Sequence, residues 1–245
     1  MKKTWLLSGT IVLGSLLIGT NIASATGTGT AADPAQGTAT IEFTENHTVT
    51  PPVDPTDPTK PNPGTLPDDE NDKTDAQGPL SLDVYPAQFD FGVRQVDLAG
   101  GTYASTKTGT HYLQVTDNRD DLGGWTIKMS RTEFSDGTNS LTGSGLFIPA
   151  GTAKNTLSAD PTVADTNAKV ETAISTGDFT GMYEIKTTES KLLGYENDIP
   201  NLVGKGTTVY SWSSAGEKLH VPAGVAKQGT FTSTINWTLT ADAWN

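Results

Sequence analysis

Apolar and polar residues alternate along several short segments of the chain, and one tripeptide pattern occurs in two of them. Trp125-Thr126-Ile127 begins the segment Trp125–Arg131, and Trp237-Thr238-Leu239 lies in the segment Thr230–Thr240. Side chains of a β-strand point alternately to opposite faces, so each Trp shares a face with the residue two positions later. The pattern predicts two strands that have similar apolar faces and Thr-containing opposite faces.

Six further segments of this kind lie between residues 80 and 245 and are separated by Gly, Asn, Asp and Pro. They are rich in the β-branched and aromatic residues that strands favour. These segments are Leu80–Tyr85, His111–Thr116, Leu141–Pro149, Tyr183–Lys186, Thr207–Ser213 and Lys218–Pro222. Only residues 163–175 are compatible with a helical turn or two. Such spacing is typical of a β-sandwich or barrel, and we predict an all-β, β-sandwich-like domain with long loops over residues 80–245.

Residues 51–79 precede this domain and hold eight of the fourteen prolines of the chain. Four of these prolines recur at every third position from Pro52 to Pro61, which favours a polyproline II helix. We therefore expect a Pro/Asp-rich spacer, or a long excursion that joins an earlier strand to the domain. That earlier strand is predicted at residues 38–45, within an N-terminal arm of residues 26–50, because Ile41 and Phe43 share a face. A single strand cannot bury itself, so docking on the main domain and a disordered arm are the two alternatives.

The first 25 residues have the features of a cleaved secretory signal. Lys2 and Lys3 precede an uncharged apolar run from Trp5 to Ile18, and Ala23-Ser24-Ala25 is a small-residue cleavage site. No other stretch is apolar enough to span a bilayer, so no membrane insertion is expected after cleavage. We find neither a sortase sorting motif nor a Cys after the signal, and therefore expect non-covalent retention at the cell surface.

Net charge and amino-acid composition argue against several classes of function. The formal net charge is −12, which argues against nucleic acid and anionic membranes as partners. The chain has no Cys, and His47, His111 and His220 lack metal-ligand spacing, so no metal or cofactor is expected. The run Asp117–Asp121 fails the EF-hand pattern, which leaves a looser calcium site or a polar turn around Arg119. No catalytic constellation is present, so we predict that the protein is not an enzyme.

Several motifs occur together in an order that identifies a family. They are Leu80-Ser81-Leu82 leading into Phe89-Asp90-Phe91-Gly92, Asp117-Asn118-Arg119 ahead of Gly124-Trp125, Phe231 ahead of Trp237, and Trp237-Thr238-Leu239 near the C-terminus. With its signal and its Pro/Asp spacer, the chain resembles the small WxL-domain surface proteins of low-GC Gram-positive bacteria. It departs from their pattern in having Ile127 for Leu, and Ala241-Asp242-Ala243-Trp244 where the family closes with Asp-Ala-Pro.

The resemblance implies a secreted adhesion protein attached non-covalently to the cell wall, with peptidoglycan as ligand. It also implies companion surface proteins, including a membrane-anchored WxL-binding protein, that assemble into a multi-protein complex. Two alternatives remain open, namely a subunit whose main ligand is a companion protein, and a secreted glycan-acting enzyme.

The two tripeptides supply the candidate ligand-binding residues. The six residues are Trp125, Thr126, Ile127, Trp237, Thr238 and Leu239. Because both Trp residues lie on apolar strand faces, a core role and a ligand role are both compatible with the pattern. The opposite Thr-rich face offers hydroxyl groups to a sugar or to another strand.

Overall fold

The computed structural model describes residues 27–121, 123–197 and 203–245. The expected signal segment, residues 1–25, lies outside the described residues. The chain divides into two compact units, residues 1–44 and residues 45–245. The second unit contains all the named strands of the described chain, and the predicted all-β class is confirmed.

Fifteen strands and one short 3-10 helix, Ser214–Gly216, are formed in the described residues. The strands are β1 (Val53–Asp54), β2 (Asp57–Pro61), β3 (Asn71–Lys73), β4 (Leu80–Pro86), β5 (Gly101–Ala104), β6 (Thr110–Asp117), β7 (Trp125–Arg131), β8 (Gly145–Pro149), β9 (Thr152–Asn155), β10 (Lys169–Val170), β11 (Met182–Ile185), β12 (Ser190–Tyr195), β13 (Gly206–Ser213), β14 (Lys218–Val221) and β15 (Ile235–Thr240). The predicted segment Trp125–Arg131 coincides with β7, whereas the last strand begins later than expected, at Ile235.

Antiparallel pairing arranges the strands in three main sheets and one hairpin. The five-stranded sheet has the order β3-β4-β6-β13-β9, and the two four-stranded sheets have the orders β10-β12-β7-β15 and β11-β8-β14-β5. The hairpin consists of β1 and β2. Strands that are distant in sequence become neighbours, so β7 lies between β12 and β15 in its sheet.

One large core lies between the three main sheets. Its fully buried side chains come from each sheet, for example Leu113 of β6, Ile127 of β7 and Ile148 of β8. Packing of the apolar faces of these sheets against one another gives the predicted sandwich-like architecture.

The Pro-rich segment 51–79 differs from the expected extended spacer, because it folds into β1, β2 and β3. The outer face of the five-stranded sheet carries a second apolar cluster of Val84, Tyr112 and Val209, against which Val53 and Leu66 pack. Polar contacts hold the hairpin there, since the Gln114 side chain accepts a 2.8 Å hydrogen bond from a backbone N–H of β1. Covering an apolar outer face stabilises this packing over the extended polyproline form.

Two other expected elements are not formed. Residues 38–45 contain no strand, and the side chains of Ile41 and Phe43 are exposed. Residues 163–175 contain no helix and instead hold the two-residue strand β10, which pairs with β12. In the part of the chain that the structure describes, no helix has the length and apolar character needed to cross a membrane.

Candidate functional site

The two tripeptides lie on neighbouring strands. β15 pairs antiparallel with β7, and Leu239 stands directly opposite Ile127. Trp237 stands opposite Met129, two pairs further along, so the two Trp side chains occupy different levels of the same sheet. The repeat therefore builds one continuous apolar surface from two chain segments that are more than a hundred residues apart in sequence.

Trp125 anchors the buried part of that surface. Its side chain is 0% exposed, and its indole N–H donates a 3.0 Å hydrogen bond to the carbonyl of Gly204. The ring meets the ring of Tyr195 edge-on, at a centroid distance of 5.1 Å. Ile127 is also fully buried. Both side chains pack within the core, and in this conformation neither has surface that a ligand can touch.

Trp237 occupies a different environment, because β15 is an edge strand. Its side chain is half-buried, and its indole N–H donates a 3.3 Å hydrogen bond to the carbonyl of Pro86. The ring lies 6.3 Å from the ring of Trp212 in the five-stranded sheet. Leu239 is half-buried as well. The second tripeptide is thus the accessible copy of the repeat.

The middle residues of the two tripeptides also differ. Thr126 is 1% exposed, and its hydroxyl donates a 2.9 Å hydrogen bond to the carbonyl of Asp242. Thr238 is exposed on the outer face of β15. The first hydroxyl fastens the segment after β15 to the sheet, whereas the second is open to solvent. The ligand-binding role of the six tripeptide residues stays a prediction.

The Asp117-Asn118-Arg119 motif positions the start of β7. Arg119 donates two hydrogen bonds of 2.9 Å to the Asp117 carboxylate and further bonds of 3.0 Å to the carbonyls of Gly123 and Gly124. Lys205 lies 3.1 Å from the same carboxylate. The hydrogen bonds that Arg119 donates to the Asp117 carboxylate raise the pKa of its guanidinium, so this charge persists at any physiological pH. Among the described residues, no group of His, Asp and Glu is placed to hold a metal ion.

Gly124 is required by the close approach of two strands in this sheet. A Cβ atom at this position would lie 2.0 Å from the carbonyl oxygen of Tyr195. The Gly-Trp pair at the start of the first tripeptide therefore has a steric basis, since the backbone of β12 passes directly beside it.

Two adjoining grooves share part of their lining, and one of them reaches Ile235, the first residue of the strand that carries the second tripeptide. The Ile235 groove has a volume of about 500 Å³ and is lined by Pro86, Phe89, Phe231, Ile235 and the hydroxyl-bearing residues between the last two. The Phe91 groove has a volume of about 520 Å³ and lies between the loop after β4 and the loop before β15. Phe89, Phe134 and Phe231 are shared by both linings. Grooves of this size with aromatic walls and a few polar groups are the usual form of ligand sites.

A buried Glu-His-Glu group supports the elements around these grooves. His111 is fully buried, with Nδ1 2.6 Å from Glu217 and Nε2 2.9 Å from Glu70. The Trp212 indole N–H donates a 2.8 Å hydrogen bond to the same Glu217 oxygen. Burial raises the pKa of the Glu217 carboxyl, against the opposing effect of His111. The group joins the Pro-rich segment and the turn before β14 to the sheet that carries Trp212.

The sequence indicated neither the two grooves nor the buried Glu-His-Glu group. The sequence shows His111 only as a residue without metal-ligand spacing, and its two carboxylate partners lie 41 and 106 residues away along the chain. Phe89, Phe91 and Phe231 stand out in the sequence as positions of the resemblance, and nothing in their spacing indicates a shared groove. The one available signal was the grouping of aromatic residues in segments that flank the tripeptide strands.

Comparison with known proteins gives one match. A family model described as "WxL domain surface cell wall-binding" matches residues 30–242. No match was found among curated proteins or among solved structures.

Proposed function

Since the chain belongs to the WxL domain family of surface cell wall-binding proteins, we propose that peptidoglycan is its wall ligand and that attachment is non-covalent. The family match over residues 30–242 carries this proposal, because it spans both tripeptides and the strands around them. The protein serves attachment and adhesion without catalysis. It is exported by a Gram-positive bacterium and acts as a subunit of a multi-protein surface complex with a companion WxL-binding protein.

The accessible copy of the repeat supplies the ligand contacts in this proposal. Trp237 and Leu239 present half-buried apolar surface next to the Ile235 groove, and Thr238 offers a free hydroxyl on the outer face of β15. A Trp ring with one solvent-exposed edge provides an amphipathic surface for a sugar or a peptide. Trp125, Thr126 and Ile127 act indirectly, by holding β7 in the register that positions β15.

The Ile235 groove extends this contact along the strand. Its lining includes three consecutive hydroxyl side chains, Thr232, Ser233 and Thr234, beside the rings of Phe89 and Phe231. Glycan strands carry both apolar ring faces and hydroxyl groups, so a wall that combines aromatic and hydroxyl groups matches their chemistry. A short segment of wall polymer is therefore the proposed occupant of this groove.

A protein ligand is the second candidate, and the edge position of β15 favours it. An edge strand presents backbone N–H and C=O groups that another strand can pair with. Under this alternative the companion protein is the main ligand and wall association is indirect.

The test is sedimentation of residues 26–245 with native cell walls and with walls stripped of protein. Direct attachment predicts equal binding to both preparations, with no release of reducing ends. Binding to native walls alone would support the companion-protein alternative. The matched variants are Thr234→Ala, inside the groove, and Thr138→Ala, an exposed Thr outside it. Only the first is expected to weaken wall binding.

A further inference from the structure

The segment Thr38–Glu45 exposes two large apolar side chains on one alternating face. Ile41 is 74% exposed and Phe43 is 85% exposed. The segment forms no strand, so its backbone groups are free of sheet pairing. Exposed apolar side chains that alternate in this way mark a surface that is available for association.

The Phe91 groove offers the complementary surface. Phe91, Phe134 and Leu219 form its apolar floor and are each 8% exposed. On one wall Val93 is 99% exposed. In the described chain the backbone N–H of Val93 has no hydrogen-bond partner, and the same holds for Gln95 on that wall.

The other side of the groove also has a backbone N–H group without a hydrogen-bond partner in the described part of the chain. No partner within the described residues accepts from the backbone N–H group of Lys227, which lines this side. A peptide that enters this groove therefore finds apolar contacts on the floor and unpaired backbone donors among the described lining residues Val93, Gln95 and Lys227. This combination is the one used when an extended segment adds to another protein.

Charge also matches between the groove and the segment. The lining carries two basic side chains, Arg94 and Lys227, against one acidic side chain, Asp90, in a chain whose formal net charge is −12. The segment carries Glu42 and Glu45, and Glu45 shares the face of Ile41 and Phe43 by strand alternation. Opposite charges at a contact favour encounter and fix its register.

We propose that the segment Thr38–Glu45 of one copy occupies the Phe91 groove of a second copy. The two surfaces are different and belong to the same chain, so each copy offers one donor segment and one acceptor groove. Such a contact is head-to-tail, and it produces rings or open chains of molecules rather than a symmetric two-fold dimer. On a cell surface it would link neighbouring copies without any covalent bond.

The first test measures association of residues 26–245 by sedimentation over a range of protein concentrations, without cell walls. Wild type is expected to associate, and Ile41→Asp combined with Phe43→Asp is expected to weaken association at least ten-fold. The matched control is Leu157→Asp, which changes a 61% exposed apolar side chain outside the groove and is expected to leave association unchanged. A wild type that stays monomeric, or association that is insensitive to the double change, overturns the proposal.

The second test locates the contact with cysteines, since the chain has none of its own. Thr44→Cys and Val93→Cys are placed on separate proteins of different tagged mass and mixed under mild oxidation. A mixed disulfide is expected to form at least ten times faster than with the control pair Thr44→Cys and Lys60→Cys. Equal rates for the two pairs overturn the proposal. A Thr44→Cys, Val93→Cys protein that closes its own disulfide as a monomer also overturns it. Because neither experiment contains cell wall, the outcome is independent of the proposed wall attachment.

Discussion

Replacing the two Trp residues separately should show that one is structural and the other accessible. Trp125 is 0% exposed and its N–H is bonded to the carbonyl of Gly204, which is itself buried. Trp→Ala at a buried site costs about 3–5 kcal/mol through lost transfer free energy and the cavity that remains. An unpaired buried carbonyl adds to that cost, so we expect Trp125→Ala to lower the free energy of unfolding by about 5 kcal/mol.

Truncation of Trp237 should cost less stability than truncation of Trp125, because a half-buried side chain contributes less to folding. The hydrogen bond from its indole N–H is also long, at 3.3 Å. We expect Trp237→Ala to lower the free energy of unfolding by about 2 kcal/mol. Trp125→Phe keeps an aromatic ring but removes the donor to Gly204, and should cost about 1–2 kcal/mol.

The assay is urea unfolding of residues 26–245, followed by Trp fluorescence and circular dichroism, with wall sedimentation of each variant under folding conditions. A domain of this kind has a total stability of about 5–15 kcal/mol, so Trp125→Ala is expected to be largely unfolded or close to its threshold. Trp237→Ala is expected to stay folded and to lose wall binding. Equal destabilisation by the two Ala variants would refute the distinction between a core Trp and an accessible Trp.

Three further substitutions test side chains and a glycine that hold the strands of the domain in place. Arg119→Lys removes the two-bond contact with Asp117 and should cost about 2 kcal/mol in urea unfolding, whereas a loss below about 0.5 kcal/mol would show that the motif does not hold β7. Burial, opposed by three hydrogen bonds, raises the pKa of the Asp83 carboxyl above its ordinary value of 3.8. The folded state therefore favours the protonated form, and wild type should lose stability relative to Asp83→Asn as pH rises through that raised pKa; a pH-independent difference in thermal melting would contradict this. Gly124→Ala should cost at least about 2 kcal/mol in urea unfolding because of the backbone clash, and Gly37→Ala, whose Cβ meets nothing within 4 Å, is the matched control.

The strands that carry the tripeptides were predictable because alternation is a local property of the sequence. The segment Trp125–Arg131 became β7, and the alternation of half-buried and exposed residues in β15 is confirmed up to Leu239. The pairing of these strands was not predictable, since nothing local specifies a partner so distant in the chain. The difference in exposure between Trp125 and Trp237 follows from central and edge positions in the sheet, which only the topology reveals.

The Pro-rich segment shows where composition misleads. Regular prolines and repeated acids favour an extended form when a segment stands alone. Here Val84, Tyr112 and Val209 lie on the outer face of the five-stranded sheet, and Val53 and Leu66 of the segment cover them. That apolar outer face arises from residues that alternate with the core face of β4, β6 and β13, so its presence depends on the sheet order. The contacts of the buried His111 were not predictable from composition either, because its two Glu partners come from loops that are distant in sequence.

Binding of residues 26–245 to protein-free peptidoglycan sacculi tests the central claim most directly. The amount bound is measured against the free concentration, with native walls and a Trp237→Ala variant of confirmed folding in parallel. The account predicts saturable binding that denaturant reverses without a wall-degrading enzyme, and a loss of at least ten-fold in affinity for the variant. No binding to stripped sacculi, together with binding to native walls, would contradict direct attachment to peptidoglycan.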